Sequence, residues 1–390
     1  MRVADNLAPT RPRALVLLPE TYADGGIQRF NRTFLSACDL IDIDCDVLSL
    51  VDSEKSRSQW TAPPSVRIRV FNHDKVRFAA AAGYALLRGD YRFVVIGHAN
   101  LLELVAVGAL LRRGSGARVL LIAHGIEVWT GMSSWRRRHA MRAVDLTLSV
   151  SRYTQERIRH QVPELPDNRF ALFPNALGET WASRFSATDA TGVEPPVAER
   201  FLLSVTRLDR GDRYKGVICV IEAVAMLGDK SIHYVIAGQG NDQSFLRCVA
   251  ARCGLSERVH FLGAVSDSQL VALYRQCAAF ILPSGKEGFG IVFLESMFFG
   301  APVIAAHERG ATDVVRHEQT GLTVAYGDTM GLKQAIERVT EDSTLREKLC
   351  AAGRAAVTGD GPFTFRAFVA RLASVLGLPA PPERDITVVG

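Results

Sequence analysis

Two glutamates eight residues apart, Glu287 and Glu295, stand in the run GKEGFGIVFLESM over residues 285–297. An ionised carboxylate accepts several hydrogen bonds at once, so each could grip the vicinal hydroxyls of a sugar. Gly288 and Gly290 let the backbone come close to a ligand. The unbonded N–H groups of a helix start at this point could receive an anion or hydroxyl oxygens. The plainer reading is a pair of helix-start glutamates complementing the helix dipole. Arg207 and Lys215–Gly216 lie in SVTRLDRGDRYKG. Two cations at a strand end could neutralise a departing diphosphate, the work a magnesium ion does elsewhere. The plainer reading here is a solvated basic loop.

Further candidates follow other apolar runs. Gly25 and Gly26 in ETYADGGIQRF form a turn suited to phosphate and lead into a helix. His124 in LLIAHGIEVW closes an apolar strand and could meet a ligand or simply be a structural histidine. His98 in VIGHAN is placed the same way and is a weaker candidate for acceptor contact. Gly238-Gln239-Gly240 also follows a strand, but no glycine stands at 243, so the dinucleotide fingerprint is incomplete and an ordinary turn fits better. Asp42-Ile43-Asp44-Cys45-Asp46 contains the D-x-D that holds divalent cations in some sugar-transferring enzymes, but it precedes a strand, the wrong end of a sheet. It reads as an acidic edge, and no metal is expected. Trp135 with Arg136, Arg137, Arg138 and Arg142 forms a basic aromatic patch that suits anionic lipid headgroups or a solvated helix face.

The elements that must position these residues alternate. Strands are expected at 14–18, 45–50, 66–70, 93–96, 119–123, 146–150 and 170–173, with helices from 26 and at 76–88, 100–113, 134–143 and 152–160. A second series places strands at 201–205, 233–237, 259–262, 279–282 and 303–305. Its helices fall at 216–227, 242–253, 267–276, 292–299 and 329–339, and helices 341–357 and 363–376 close the chain. Repeated βα units imply parallel sheets covered on both faces. Residues 186–199, SATDATGVEPPVAE, read as the linker. The reading is therefore α/β: two doubly wound, Rossmann-like domains, 1–185 and 200–360, facing a central cleft. Ligands of such sheets bind beyond the carboxyl ends of the strands.

The chain has 390 residues, 48% hydrophobic and 22% charged, with a net charge of +5. Residues 1–195 hold 25 Lys and Arg against 20 Asp and Glu, and the remainder 21 against 21, so the excess lies in the first half. That suits an anionic partner there, or scattered solvated arginines. A nucleic-acid partner is not expected, because the excess is slight and no recognised motif appears. Seven cysteines without a C-x-x-C fit reduced thiols, and neither an apolar leader nor a membrane-spanning run is visible. A cytoplasmic protein is expected, with any membrane contact peripheral.

Taken in order, Gly25–Gly26, His124, Phe173-Pro174-Asn175, Arg207, Lys215–Gly216, Glu287…Glu295, Gly310, Asp313 and Gly321 resemble family 4 of the retaining GT-B glycosyltransferases, over residues 14–325. The resemblance implies that the second domain binds a nucleotide-sugar donor and the first a glycan or lipid-linked acceptor. Helix 363–376 would return to the first domain. Arg207 and Lys215 would bind the diphosphate, Glu287 the sugar hydroxyls and Glu295 the ribose. The backbone of Phe289, Gly290 and Ile291 would meet sugar or phosphate. Gly26 would approach the diphosphate, and His124 the sugar near the reacting centre. No cofactor and no metal is implied. Seven residues separate Arg207 from Lys215, a longer gap than in many relatives, and Arg210 and Arg213 within it compete for the phosphate role. The Asp-Arg-Tyr-Lys-Gly form is similar to members that build exopolysaccharides and lipid-linked oligosaccharides, several from GDP-mannose. A sugar-nucleotide epimerase-like enzyme and a non-catalytic glycan- or lipid-binding module are the alternatives.

Overall fold

The structure, a computed structural model, describes residues 11–23, 25–104, 116–178, 185 and 200–381. These divide into two compact units. One runs to Val150 and takes in Thr154–Phe173 and the chain from Phe368; the other comprises Ser151–Tyr153 and Pro174–Ala367.

The first unit is built on a seven-stranded sheet: β1 (Arg13–Leu18), β2 (Asp44–Ser49), β3 (Val66–Val70), β4 (Phe93–Ile96), β5 (Arg118–Ala123), β6 (Leu146–Ser149) and β7 (Phe170–Leu172). Their order is β3-β2-β1-β4-β5-β6-β7, and every pairing is parallel. The central strands are near-continuous apolar runs because helices cover both faces, and all four residues of β4 are buried. Edge strand β3, VRIRV, instead alternates buried and open positions. The helices are α1 (Gly26–Leu40), α2 (Lys75–Arg88), α3 (Ile126–Trp129), α4 (Trp135–Met141) and α5 (Arg152–Gln161). The helix expected at 100–113 lies, beyond Leu104 and up to residue 115, outside the described residues.

The second unit has a six-stranded sheet: β8 (Phe201–Val205), β9 (His233–Ala237), β10 (Val259–Gly263), β11 (Ala279–Leu282), β12 (Val303–Ala306) and β13 (Leu322–Val324). The order is β10-β9-β8-β11-β12-β13, again with parallel pairings. The helices are α6 (Val217–Met226), α7 (Gln243–Arg252), α8 (Asp267–Gln276), α9 (Ile291–Phe298), α10 (Thr329–Glu341) and α11 (Ser343–Val357). One apolar cluster joins α6 and α10 to the inner strands through Val220, Ile221, Val224, Ile281, Ile304, Leu332 and Ile336. Strand β13 was not anticipated; its pairing with β12 defines it.

Between Phe173 and Pro174 the chain leaves the first unit. Pro174 has no N–H to extend β7, and three residues later Leu177 donates its N–H to Phe363 O at 3.1 Å. The stretch 186–199 read as the linker lies outside the described residues. Helix α12 (Phe365–Leu376) joins the first unit from Phe368 onward. There the Phe368 ring packs edge-on to Phe30 and Phe173, centroids 5.6 and 4.6 Å away, and Arg118 donates to Val375 O at 2.7 Å. Among the described residues no helix is long and apolar enough to cross a membrane.

Candidate active site

In each sheet the strand order reverses once, between β1 and β4 and between β8 and β11. Diverging connections leave a crevice at such a switch point, beyond the carboxyl ends. Arg207 and Lys215 sit on the segment leaving β8, Glu287 on the segment leaving β11. The reversal thus brings together residues more than seventy positions apart.

The contact is direct. Lys215 Nζ lies 2.9 Å from Glu287 Oε2, and both side chains are largely enclosed. Lys215 ends a 3-10 turn, Arg210–Lys215, and Gly216 takes the left-handed conformation at φ 80°. Glycine is required there twice over. A Cβ would stand 2.5 Å from Pro283 O, and the positive φ is strained for other residues. The two loops are also tied by the Gly285 N–H, which donates to Tyr214 O at 2.7 Å.

Arg207 is 73% exposed and its Nη2 is 3.3 Å from Asp212 Oδ1. The same carboxylate oxygen accepts from Tyr214 Oη at 2.8 Å. Burial, and then this bond, push the Tyr214 phenol up to about 12. Arg213 takes a different partner: it forks onto Asp242 at 2.6 and 2.7 Å, stacks 4.0 Å over Phe245, and holds the Asp242 carboxyl below its ordinary range. Of the cations in this loop, Lys215 is the one whose contact reaches across to the loop leaving β11. The glycines of Gly238-Gln239-Gly240 serve this loop. A Cβ at Gly238 would strike Thr206 O and one at Gly240 would strike Leu208. The segment carrying Arg207 lies zipped against them, with the Leu208 N–H donating to Gln239 O at 2.8 Å.

The Glu287 loop is braced by the 3-10 turn Arg309–Asp313 that follows β12. The Gly310 N–H donates to Glu287 O at 3.0 Å, and a Cβ on Gly310 would run into Gly288 O. Gly290, at φ 88°, turns the chain into α9. The Phe289 ring is buried edge-on to Phe363, centroids 5.7 Å apart. Residues 289–291 thus offer backbone groups, and the first N–H groups of α9 lack acceptors within the helix. Glu295 lies within the fold. It is 1% exposed and its Oε2 accepts from Tyr274 Oη at 3.0 Å, so its carboxylate faces the interior.

In the first unit, Gly25 precedes α1 with extended backbone, and Gly26 opens the helix, exposed. Two residues that sequence reading missed hold the preceding loop. Asp52, buried, accepts from the N–H groups of Thr21 at 2.7 Å and Tyr22 at 3.3 Å, while Arg32 donates to the carbonyls of Thr21, Tyr22 and Ala23 at 3.0–3.1 Å. His124 follows β5. Its Nε2 is 3.0 Å from Gly97 O, so that nitrogen carries the proton and Nδ1 keeps a lone pair. Glu127 Oε1 accepts from the N–H groups of His124 at 2.6 Å and Gly125 at 3.1 Å, fixing the turn. Burial pulls the His124 imidazole down to about 4, and it lowers that of His98, whose ring stacks 6.1 Å away.

The rival motifs are accounted for. Asp46 bonds Arg13, Arg67 and Tyr91 at 2.6–3.0 Å, and Asp42 pairs with Arg11 at 2.7 Å. These contacts make the acidic edge a structural clamp. In the Trp135 patch, Arg138 forks onto Glu164 and Arg137 bonds Asn100 Oδ1 and Glu127 O.

Two Rossmann-like units, each a parallel sheet with helices, make an α/β fold of the GT-B class, and comparison with known proteins agrees. The Anabaena protein HepE, solved with UDP, superposes with a TM-score of 0.73 at 19% identity, covering 94% of this chain and 99% of that one. Family models described as "Glycosyltransferase Family 4" and "Glycosyl transferases group 1" match residues 24–177 and 190–356. The chain belongs to the family 4 type of glycosyltransferases. It is 30% identical over 169 residues to an uncharacterized glycosyltransferase of Methanocaldococcus jannaschii, 43% of this chain and 42% of that one. It is 29% identical over 307 residues to a GDP-mannose-dependent alpha-(1-6)-phosphatidylinositol monomannoside mannosyltransferase of Mycobacterium tuberculosis, 74% of this chain and 76% of that one. The first of these curated relatives are matched over only about half of their length.

Proposed function

We propose that the chain transfers a hexose, with retention, from a nucleoside-diphosphate sugar to a glycan or lipid-linked acceptor. The observation that carries this is the Lys215–Glu287 contact of 2.9 Å at the β8/β11 switch point, with Arg207 on the same loop. Lys215, to which we give the diphosphate, and Glu287, to which we give the sugar hydroxyls, stand side by side there. Paired in this way, Lys215 and Glu287 neutralise each other. An arriving diphosphate would draw Lys215 away and leave Glu287 free to accept from the sugar.

In the reaction, the acceptor oxygen bonds to the anomeric carbon as the bond from that carbon to the phosphate oxygen breaks. The acceptor proton passes to the departing oxygen on the same face, so no enzyme nucleophile is needed. The protein contributes orientation and fixed positive charge. Arg207 and Lys215 take the metal's part in stabilising the diphosphate. We assign the donor to the second unit and the acceptor to the first. From the resemblance, Gly26 contacts the diphosphate, His124 the transferred sugar, residues 289–291 the sugar or phosphate through their backbone, and Glu295 the ribose. That last role requires Glu295 to exchange Tyr274 for the ligand. Mannose from GDP-mannose is the favoured donor, supported by the mannosyltransferase relative.

A panel of nucleotide sugars tests the reading. Slow donor hydrolysis, or transfer giving a product of unchanged anomeric configuration, is expected with one of them and with GDP-mannose first. Turnover should persist in EDTA. An inverted product would reject retention, strict dependence on added divalent metal would reject the role given to the cations, and an epimerised nucleotide sugar would replace transfer altogether.

A further inference from the structure

Helix α2, KVRFAAAAGYALLR, is apolar on two opposite sides. Phe78, Ala82 and Leu86 are buried against the first sheet. On the other side Val76 is 80%, Tyr84 67% and Leu87 61% exposed. Among the described residues these are three of the four most exposed large hydrophobic side chains, the fourth being Trp135 at 75%. At 100° per residue, Val76, Ala80, Gly83, Tyr84 and Leu87 fall within an arc of about 100°. Arg77 and Arg88, both exposed, border that arc along one edge. A helix apolar all round is normally enclosed, and a continuous exposed apolar stripe marks a surface that meets something else.

The surroundings say what it meets. At the amino end of α2 a groove of about 660 Å³ is lined by Lys55, Arg69, Asn72 and Arg77, with Glu54 as its one carboxylate. Lys55, Arg69 and Arg77 are exposed and, among the described residues, none of them pairs with a carboxylate. Asn72 and His73 hold left-handed backbone there, at φ 45° and 65°. The cationic excess of residues 1–195 thus has a local focus beside an apolar stripe. A second copy docked by a two-fold axis through this face would set cations against cations. An anionic lipid surface answers both features, its headgroups meeting the groove and its upper acyl region the stripe.

We propose that α2 and the Lys55–Arg69–Arg77 groove form a docking surface for an anionic membrane. The Trp135 patch is the lesser feature, since two of its arginines are committed to protein partners. This inference stands apart from the transfer reaction, because membrane partition is measured without turnover.

The test is co-sedimentation of the full chain with vesicles of phosphatidylcholine alone or mixed with phosphatidylglycerol, with light scattering to report oligomeric state. The chain should pellet with the anionic vesicles and stay in solution with the neutral ones. Each cation is worth roughly a fivefold change in partition, so K55A/R69A/R77A should weaken binding on the order of 100-fold. Y84S/L87S should abolish it at unchanged charge, with both variants melting like the parent. Inorganic phosphate at matched ionic strength should not compete. Failure to pellet with anionic vesicles, equal binding to neutral ones, or full retention of binding in both variants would overturn the proposal. So would competition by phosphate, which indicates a small-anion site, or a dimer that Y84S/L87S dissociates.

Discussion

Lys215 and Glu287 each depend on the other for charge compensation. Breaking a largely enclosed ion pair from one side leaves an uncompensated charge, whereas replacing both members removes the penalty. Lys215→Met and Glu287→Leu should each destabilise the fold by about 1–3 kcal/mol, and the double variant by less than their sum, with a coupling of about 0.5–3 kcal/mol in denaturant titrations. Strict additivity would mean that the 2.9 Å contact carries no energy. His124 makes a pH statement. Its folded-state value of about 4 lies below the ordinary histidine value of 6.5. Between those limits the unfolded chain binds the extra proton, so stability is full above about pH 6.5, declines as pH falls from there to about 4, and levels off below. His124→Asn should flatten that decline in urea titrations run from pH 7 to pH 4. An unchanged slope would place the sensitivity elsewhere, with His98 next in line.

At the scale of elements, the site is made by loops that cross closely. Gly216 passes over Pro283, and Gly310 passes over Gly288. Gly216→Ala combines a left-handed strain of about 1–3 kcal/mol with a Cβ 2.5 Å from a carbonyl oxygen. It should lower the melting temperature and weaken donor binding, because the turn it distorts sets Lys215. Gly211, in the same turn with nothing within 4 Å, is the control, and Gly211→Ala should melt like the parent. Equal behaviour of the two variants would remove the argument from close approach.

The same loops show what a sequence discloses. Strands such as 201–205, 233–237 and 279–282 were readable to the residue, since apolar runs between turn residues state their own length, and 66–70 was readable by its alternation. Arg207, Lys215 and Glu287 drew attention because they lie on the segments that leave such runs. What was hidden lies in contacts between distant positions. Nothing local marks Asp52 as the acceptor for Thr21 and Tyr22, or Asp242 as the partner that withdraws Arg213 from the phosphate role. The enclosure of Glu295 by Tyr274 depends on how α8 meets α9. Glu127 alone carried a usable signal: a glutamate three residues after a strand-ending histidine is spaced to cap the turn between them.

For the whole molecule, two parallel sheets each reverse their strand order once; Gly26, Arg207, Lys215 and Glu287 lie on segments that follow strands at those reversals, and His124 follows β5, one strand further on. The role proposed for Arg207 and Lys215 is to hold a leaving diphosphate. Its most direct test is kcat/KM for the nucleotide-sugar donor that the panel identifies, measured in R207A and K215A variants confirmed to be folded. Loss of one preorganised charge should lower the value by about 10²- to 10³-fold in each. Values within about twofold of the parent in both folded variants would contradict the claim.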